Sequence, residues 1–252
     1  MKLKDRVYII TGATSGMGKA TAWLLAREGA KIVFSGRDKV IGEALQKELS
    51  CISAGHVFVA GDVKNKEHNH ELVQAAISKF GQLDGVVCHA GMLGLGALTE
   101  LDEQTWDDTF KTNVDAVFYL LQAALPVLIK SPVAAVVINA SIAAFKSFPN
   151  HPAYCASKAA VVALAKQVAV DYAPRVRINA ICPGPVDTPF IHASAAAFPD
   201  PALAVELAGR NTLVQRLGTS EDVANLVLFL ISTEASWITG AAYVIDGGVT
   251  TK

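Results

Sequence analysis

The chain has 252 residues, with 22 lysines and arginines against 23 aspartates and glutamates, for a formal net charge of -1. Apolar residues make up 52% and charged residues 18%, which excludes a disordered or strongly charged tail protein and leaves no basic excess to neutralise nucleic acid. The length suits a single α/β domain spanning residues 1–252. The low charged share raises the question of where so much apolar surface is buried.

Residues 7–11 predict a strand, and 17–27 a helix with Met17, Ala20 and Leu24 at helical spacing, stopped by Gly29. A strand over 31–35, a helix over 40–49, a strand over 56–60, a helix over 66–80 and a strand over 85–88 follow. Next come a long helix over 103–129, a strand over 133–139, a helix over 153–172 and a strand over 177–181. The stretch 183–201 reads as irregular, followed by a helical piece to about 216, a helix over 221–231 and a short strand over 242–245. The strands are apolar without alternation, as in parallel strands covered on both faces. Strands interleaved with helices in this way predict a three-layer, doubly wound Rossmann-type fold on a seven-stranded parallel sheet. Ligands in such sheets sit beyond the carboxyl ends of the strands.

The first apolar run is too short for a secretory leader, and no run reaches the roughly 18 to 20 residues of a membrane span. Cys51, Cys88, Cys155 and Cys182 are scattered with no CxxC pair and read as buried thiols of a reducing compartment. A cytoplasmic protein without membrane or nucleic-acid partners is expected. His68-Asn69-His70 lies among Lys64, Lys66 and Glu67; it reads as a solvated helix start, and no metal is expected.

Thr11-Gly12-Ala13-Thr14-Ser15-Gly16-Met17-Gly18 joins the first strand to the first helix. A pyrophosphate must approach backbone amides at a helix N-terminus, where a Cβ would obstruct it. Gly12 suits the tight turn, Gly16 the approach to the phosphates, and Gly18 the packing of helix on sheet. Thr14, Ser15 and Met17 belong to the same loop. The spacing is neither GxGxxG nor GxxxxGK[ST], which disfavours an ATP-hydrolysing loop. At the end of the second strand, Gly36 stands where an acid would bond a ribose 2′-hydroxyl, and Arg37 follows. A guanidinium fork suits a 2′-phosphate, so NADP(H) is favoured over NAD(H). The competing reading pairs Arg37 with Asp38 or Glu43. Asp62 and Val63, after the third strand, are candidates to bond and pack against an adenine, with Asp62 otherwise a helix cap.

Tyr154 and Lys158 are four residues apart and share a helix face; Ser141 follows the strand that ends at Asn139. Hydride transfer to a carbonyl leaves an alkoxide that needs a proton. A tyrosine can donate it, but its reference pKa is about 10. A nearby ammonium is expected to lower that value, and a shift of three units takes about 4 kcal/mol. Ser141 can hold the substrate oxygen.

These motifs resemble those of the short-chain dehydrogenase/reductase family over essentially the whole chain. The carriers are the glycine loop, Asp62, Ala90-Gly91, Asn113 in Thr112-Asn113-Val114, Ser141, and Tyr154-Cys155-Ala156-Ser157-Lys158. Arg177-Ile178-Asn179, Pro183-Gly184, Thr188 and Asp246-Gly247-Gly248 complete the set. The resemblance implies a catalytic tetrad of Asn113, Ser141, Tyr154 and Lys158. Tyr154 would be the acid/base, Lys158 would bond the nicotinamide ribose and tune Tyr154, Ser141 would orient substrate, and Asn113 would hold a relay water. Ala90, Gly91, Pro183, Gly184, Val186 and Thr188 would line the cofactor. It also implies a homotetramer, with apolar helix faces around 106–129 and 153–172 and the 237–249 segment buried between subunits. One departure is Cys88-His89-Ala90-Gly91, where the family usually shows Asn-Asn-Ala-Gly. His89 is either a second titrating group near the cofactor or, more simply, a histidine filling a polar slot.

Met92, Leu93, Leu95, Ala143, Ala144, Phe145, Phe148, Phe190, Ile191 and Phe198 are candidate pocket residues, and 187–216 is a candidate substrate loop. Their apolar character predicts an NADP(H)-dependent oxidoreductase acting on a hydrophobic ketone or secondary alcohol. The alternatives are a 3-oxoacyl thioester reductase, with Lys130, Arg175 and Arg177 facing an acidic carrier, and a non-catalytic dinucleotide-binding regulator. The regulator is expected to have lost Tyr154 or Lys158. An isomerase or dehydratase on this fold is expected to carry a longer substrate domain.

Overall fold

The computed structural model describes residues 1–251. Seven parallel strands form one sheet: β1 Val7–Thr11, β2 Lys31–Gly36, β3 Val57–Ala60, β4 Gly85–Cys88, β5 Ala135–Asn139, β6 Arg177–Pro183 and β7 Ala242–Ile245. They lie in the order β3-β2-β1-β4-β5-β6-β7. Helices α1 Gly16–Arg27, α2 Lys39–Ser50, α3 Lys66–Phe80, α4 Glu103–Phe110, α5 Ala116–Leu128, α6 Pro152–Tyr172, α7 Pro189–Ala195, α8 Pro201–Arg210 and α9 Ser220–Ile231 connect them. This is the doubly wound α/β architecture that the alternation of elements predicts.

The two sheet faces carry separate cores. On one, Val7, Ile9, Val86, Val136 and Ile178 pack with residues of α3, α5 and α6. On the other, Tyr8, Ile10, Ile32, Phe34 and Val137 pack with α1, α2 and α9. Strand residues of both parities are therefore buried, which is why the strands show no polar alternation. The helices start where side chains satisfy free N–H groups. Asp38, Asn65, Asp102 and Asp200 each accept from a first-turn amide, and Thr219 forms a capping box with Asp222. Gly81, at φ 74°, ends α3.

Several boundaries differ from the sequence expectation. The long helix over 103–129 is interrupted by a π turn at Lys111–Asp115, which no breaker residue announces. The stretch 183–201 is not all irregular: β6 runs on to Pro183, and Pro189 begins α7. Proline suits a first helical turn, because its missing N–H has no partner there in any case. The following helical piece ends at Arg210 rather than near 216; Thr212 and Gln215, with φ 55° at the latter, take the chain out of it.

Two surface expectations are corrected. Cys51 is exposed and Cys155 half-buried; only Cys88 and Cys182 are buried. His68 and Asn69 are buried, not solvated, because the Asn69 amide donates to the carbonyls of Val63 and Asn65 and ties down the loop after β3. Among the described residues no group of three or more metal-ligating side chains forms. One helix, α6, is long and apolar enough to cross a membrane by length and composition, which a search for unbroken apolar runs passes over. It turns Tyr154, Ser157, Lys158, Val161 and Ala165 into the interior. Trp237, Val170, Phe118 and Val244 remain exposed.

Candidate active site

The parallel register aligns the strand ends: Thr11 pairs with Cys88, Cys88 with Ile138, and Asn139 with Ile181. The loops that follow these strands start at the same edge of the sheet.

The glycine loop has the geometry of a phosphate cradle. Gly12 and Gly16 have φ of 63° and 49°, left-handed values that a side chain disfavours. A Cβ on Gly12 would lie 2.6 Å from the Ala90 nitrogen, and one on Gly18 would lie 2.1 Å from the Gly12 oxygen. At Gly16 the nearest atom is the Thr188 methyl, 3.1 Å away. The amino end of α1 thus lies close to Thr188, which follows β6. The Ser15 side chain does not cap α1, which leaves first-turn amides for an anion. Thr14 underlies Gly36, where a Cβ would meet its methyl at 2.4 Å. An acid at position 36 therefore has no room without moving Thr14.

Arg37 is exposed. Its two possible partners are committed elsewhere: Asp38 caps α2 through the Ile41 amide, and Glu43 lies 3.8 Å from Lys39. Lys64 is near enough for Arg37 to oppose its charge, and it bonds Asp108 at 2.8 Å. Asp62 is not the cap of α3, a role that Asn65 fills; it accepts the Lys64 amide in the turn beyond β3. Val63 is buried beside it.

Ser141, Tyr154 and Lys158 converge from the end of β5 and the first turns of α6. Ser141 and Tyr154 are both buried, and the Ser141 hydroxyl accepts the Ala143 amide at 3.1 Å. Lys158 is only 3% exposed; its Nζ donates to the Asn139 carbonyl at 2.7 Å and lies 5.7 Å from the Tyr154 ring centre. The electrostatics differ from expectation. Burial pushes the Tyr154 phenol up to about 12, against a lowering effect from Ser141. Burial also pushes Lys158 down to about 8. Desolvation sets the direction of the phenol's shift, and the lowering expected from the Lys158 ammonium is not among its causes.

Asn113 sits in the π turn, buried. Its amide brackets Met92, accepting the Met92 N–H at 2.8 Å and donating to the Met92 carbonyl at 2.9 Å, and it also donates to Ser157 Oγ. Ser157 in turn donates to the Tyr154 carbonyl. Asn113 thus ties the loop after β4 to the turn of α6 that carries Tyr154. The sequence assigns no role to the Asn139 carbonyl or to the Ser157 hydroxyl. The i+3 spacing of Ser157 from Tyr154 is the one signal that points to it; a backbone carbonyl leaves none. Gly91 lies beside this group, where a Cβ would be 3.5 Å from Asn113 Oδ1 and 3.6 Å from Lys158 Nζ.

His89 is resolved as the polar-slot residue. Its Nε2 lies 2.9 Å from Thr21 Oγ1, whose single proton goes to the Met17 carbonyl at 2.8 Å. The ring therefore carries its proton on Nε2. Burial, aided by Lys158, pushes its pKa down to about 3, so it is neutral at physiological pH. At the far end of the cleft, Pro183 closes β6, Gly184 donates to the Ile245 carbonyl, Val186 bridges to Gly218, and Thr188 precedes α7. Phe190 of α7 lies 5.7 Å from Tyr154, ring centre to ring centre. Of the other predicted pocket residues, Ala143 is buried, Phe148 half-buried and Phe145 exposed.

A parallel Rossmann-type sheet, a glycine cradle and a Ser-Tyr-Lys group at its carboxyl edge define a dinucleotide-dependent oxidoreductase class. Comparison with known proteins gives the family. Residues 12–250 match the family model described as enoyl-(acyl carrier protein) reductase. The chain is 34% identical to 2-(S)-hydroxypropyl-CoM dehydrogenase 3 of Xanthobacter autotrophicus, covering 99% of this chain and 98% of that one. It is also 34% identical to the cyclohexanol dehydrogenase of an Acinetobacter species, over 100% and 97% of the two chains. The solved structure of levodione reductase superposes with a TM-score of 0.94 at 30% identity, over 99% of each chain. The chain belongs to the short-chain dehydrogenase/reductase family of oxidoreductases, whose cofactor is a nicotinamide dinucleotide.

Proposed function

We propose that this protein is an NADP(H)-dependent oxidoreductase that interconverts a hydrophobic ketone and its secondary alcohol. The observation that carries the reading is the buried Ser141, Tyr154 and Lys158 group, with Lys158 Nζ held by the Asn139 carbonyl and 5.7 Å from the Tyr154 ring centre. When bound, the dinucleotide supplies or accepts the hydride. Gly12, Gly16 and Gly18 admit its pyrophosphate to the amides of Thr14, Ser15 and Met17. Arg37, unpaired and beside Lys64, takes the 2′-phosphate. Asp62 and Val63 border the adenine, and Ala90, Gly91, Pro183, Gly184, Val186 and Thr188 border the nicotinamide half.

In the reducing direction, Ser141 Oγ holds the substrate oxygen and Tyr154 Oη gives it a proton. Lys158 Nζ, close to the phenol, opposes the charge left on that oxygen. Asn113, fixed in the π turn, orders the loop and the water through which the proton is replaced. The single domain, 1–252, closes its pocket with the 187–216 loop, whose Phe190 and Ile191 favour an apolar substrate. Relatives named for cyclohexanol and hydroxypropyl-CoM support a secondary alcohol function. A cytoplasmic homotetramer burying Phe118, Val170 and Trp237 answers where the remaining apolar surface goes.

The matched family description favours a second reading, an acyl-thioester reductase. One of its three cations is otherwise engaged: Arg177 points inward, to the carbonyls of Leu230, Ser232 and Ile238. The retained Tyr154 and Lys158 argue against a non-catalytic regulator. The test is Tyr154→Phe, assayed by NADPH oxidation across ketones, 3-oxoacyl thioesters and sugars. Turnover is expected to vanish while NADPH binding, followed by its fluorescence, persists; undiminished turnover rejects the mechanism.

A further inference from the structure

His151 precedes the first turn of α6, three residues before Tyr154, and is only 3% exposed. Both ring nitrogens are engaged. Nδ1 meets the Pro149 carbonyl, which can only accept, so Nδ1 carries the proton. Nε2 is then a bare acceptor, and Ser194 Oγ, 2.8 Å away, donates to it. Burial favours this neutral form. Ser194 belongs to α7, 43 residues further along the chain.

The remaining contacts run in the same direction. The His151 ring lies edge-on to Tyr154, 6.1 Å between centres, and Phe190 of α7 packs 5.7 Å from the same tyrosine. The neighbouring Asn150 donates to the Ala197 carbonyl just beyond α7 and accepts the Gly96 amide with its own carbonyl. The short loop that starts α6 therefore holds both the tyrosine and the segment that covers it. Elsewhere α7 is thinly held: His192 and Ala193 are exposed, and its first residue is an exposed proline.

We propose that His151 is a positioning residue that latches α7 against the Tyr154 ring through Ser194, fixing the apolar wall against which substrate binds. The inference rests on the oxidoreductase reading, because it assigns α7 to the substrate side. With the latch intact, the wall is ordered before substrate arrives; without it, substrate must order α7 at the cost of binding energy.

The experiment compares Ser194→Ala with Ser194→Thr, which keeps a hydroxyl. One neutral hydrogen bond contributes up to about 1.5 kcal/mol, so Ser194→Ala is expected to raise the ketone KM by up to about tenfold. Its kcat should fall by much less, and Ser194→Thr should recover most of the loss. Amide hydrogen exchange over 189–197 should quicken in the alanine variant alone, whether or not a substrate is known. His151→Phe combined with Ser194→Ala should be no worse than His151→Phe alone, since one bond is removed in both. Unchanged exchange and KM in Ser194→Ala, or additive effects in the double variant, overturn the latch. If no carbonyl is turned over by the wild type, the oxidoreductase reading fails while the exchange comparison still tests the latch. Should His151→Phe not fold, the alanine–threonine pair decides alone.

Discussion

The two ends of the cleft are built on opposite principles. On the side proposed to meet the cofactor, position is set by backbone: Gly12, Gly16 and Gly18 have no side-chain freedom to vary, and neighbouring main-chain atoms stand 2.1 to 3.0 Å from any added Cβ at Gly12 and Gly18. On the substrate side, α7 and α8 are short, start on prolines and carry exposed apolar residues such as Leu203, 46% accessible. A diphosphate common to many reactions can be met by a rigid backbone mould. A substrate wall that differs from one reaction to the next is made from side chains on elements that move at little cost.

Substitutions should divide along that line. Gly12→Ala forces an L residue to φ 63° and drives a methyl into Ala90. Strain and overpacking together amount to about 3 kcal/mol, so cofactor affinity should fall by about a hundredfold or more, measured by titration of NADPH fluorescence. A loss below about threefold breaks the contrast between the two ends.

Lys158→Met lies between them. It removes a buried ammonium that forms no ion pair among the described residues, so turnover should be lost while the melting temperature at pH 7 rises by several degrees. The pH sign follows. Lys158 has a pKa of about 8 folded against an ordinary value of 10.5, so between those values the unfolded chain binds more protons and stability rises with pH. That contribution is absent below about pH 8. The advantage of the methionine variant should accordingly shrink from pH 8 to pH 10. An advantage that grows over that range contradicts the buried-charge account.

Arg37→Asp sharpens the cofactor end further. NADPH affinity should drop by at least about tenfold, from losing a charge-assisted bond and adding repulsion, with NADH affected little. Equal losses for both dinucleotides remove the NADP(H) assignment. The smallest effect belongs to Leu203→Ala on α8, expected within about 0.5 kcal/mol of wild-type stability by denaturant titration. A loss several times larger would mean that this side is packed as tightly as the other.

The same division decides how much was legible in the sequence. The glycine loop, the alternation of apolar strands with helices, and the Ser141, Tyr154 and Lys158 trio declare themselves, because each rests on a residue type or pattern at a regular spacing. Asn113 came only through family resemblance. Its role comes from a π turn, and the surrounding sequence, Phe110-Lys111-Thr112-Asn113-Val114-Asp115, reads as ordinary helix. The anchoring of Lys158 by the Asn139 carbonyl is main-chain chemistry and leaves no mark in side-chain identity. The burial of His68 and Asn69 was hidden for a related reason: charged neighbours set the local composition, while a loop crossing over Asn69 sets the burial. The rise of the Tyr154 pKa needed three dimensions as well, since desolvation depends on what closes over the ring and not on which lysine lies one turn away.

Trp237, 99% accessible on the bare chain, gives the molecule an optical gauge of its own state. Of the three tryptophans, Trp23 is half-buried and Trp106 only about one third accessible, so dilution of an assembled protein would show mainly as a red shift and increased quenching from this one indole. If the proposed tetramer covers Trp237, its assembly can be followed by the intrinsic fluorescence of the unlabelled chain, separately from catalysis and without a substrate in hand.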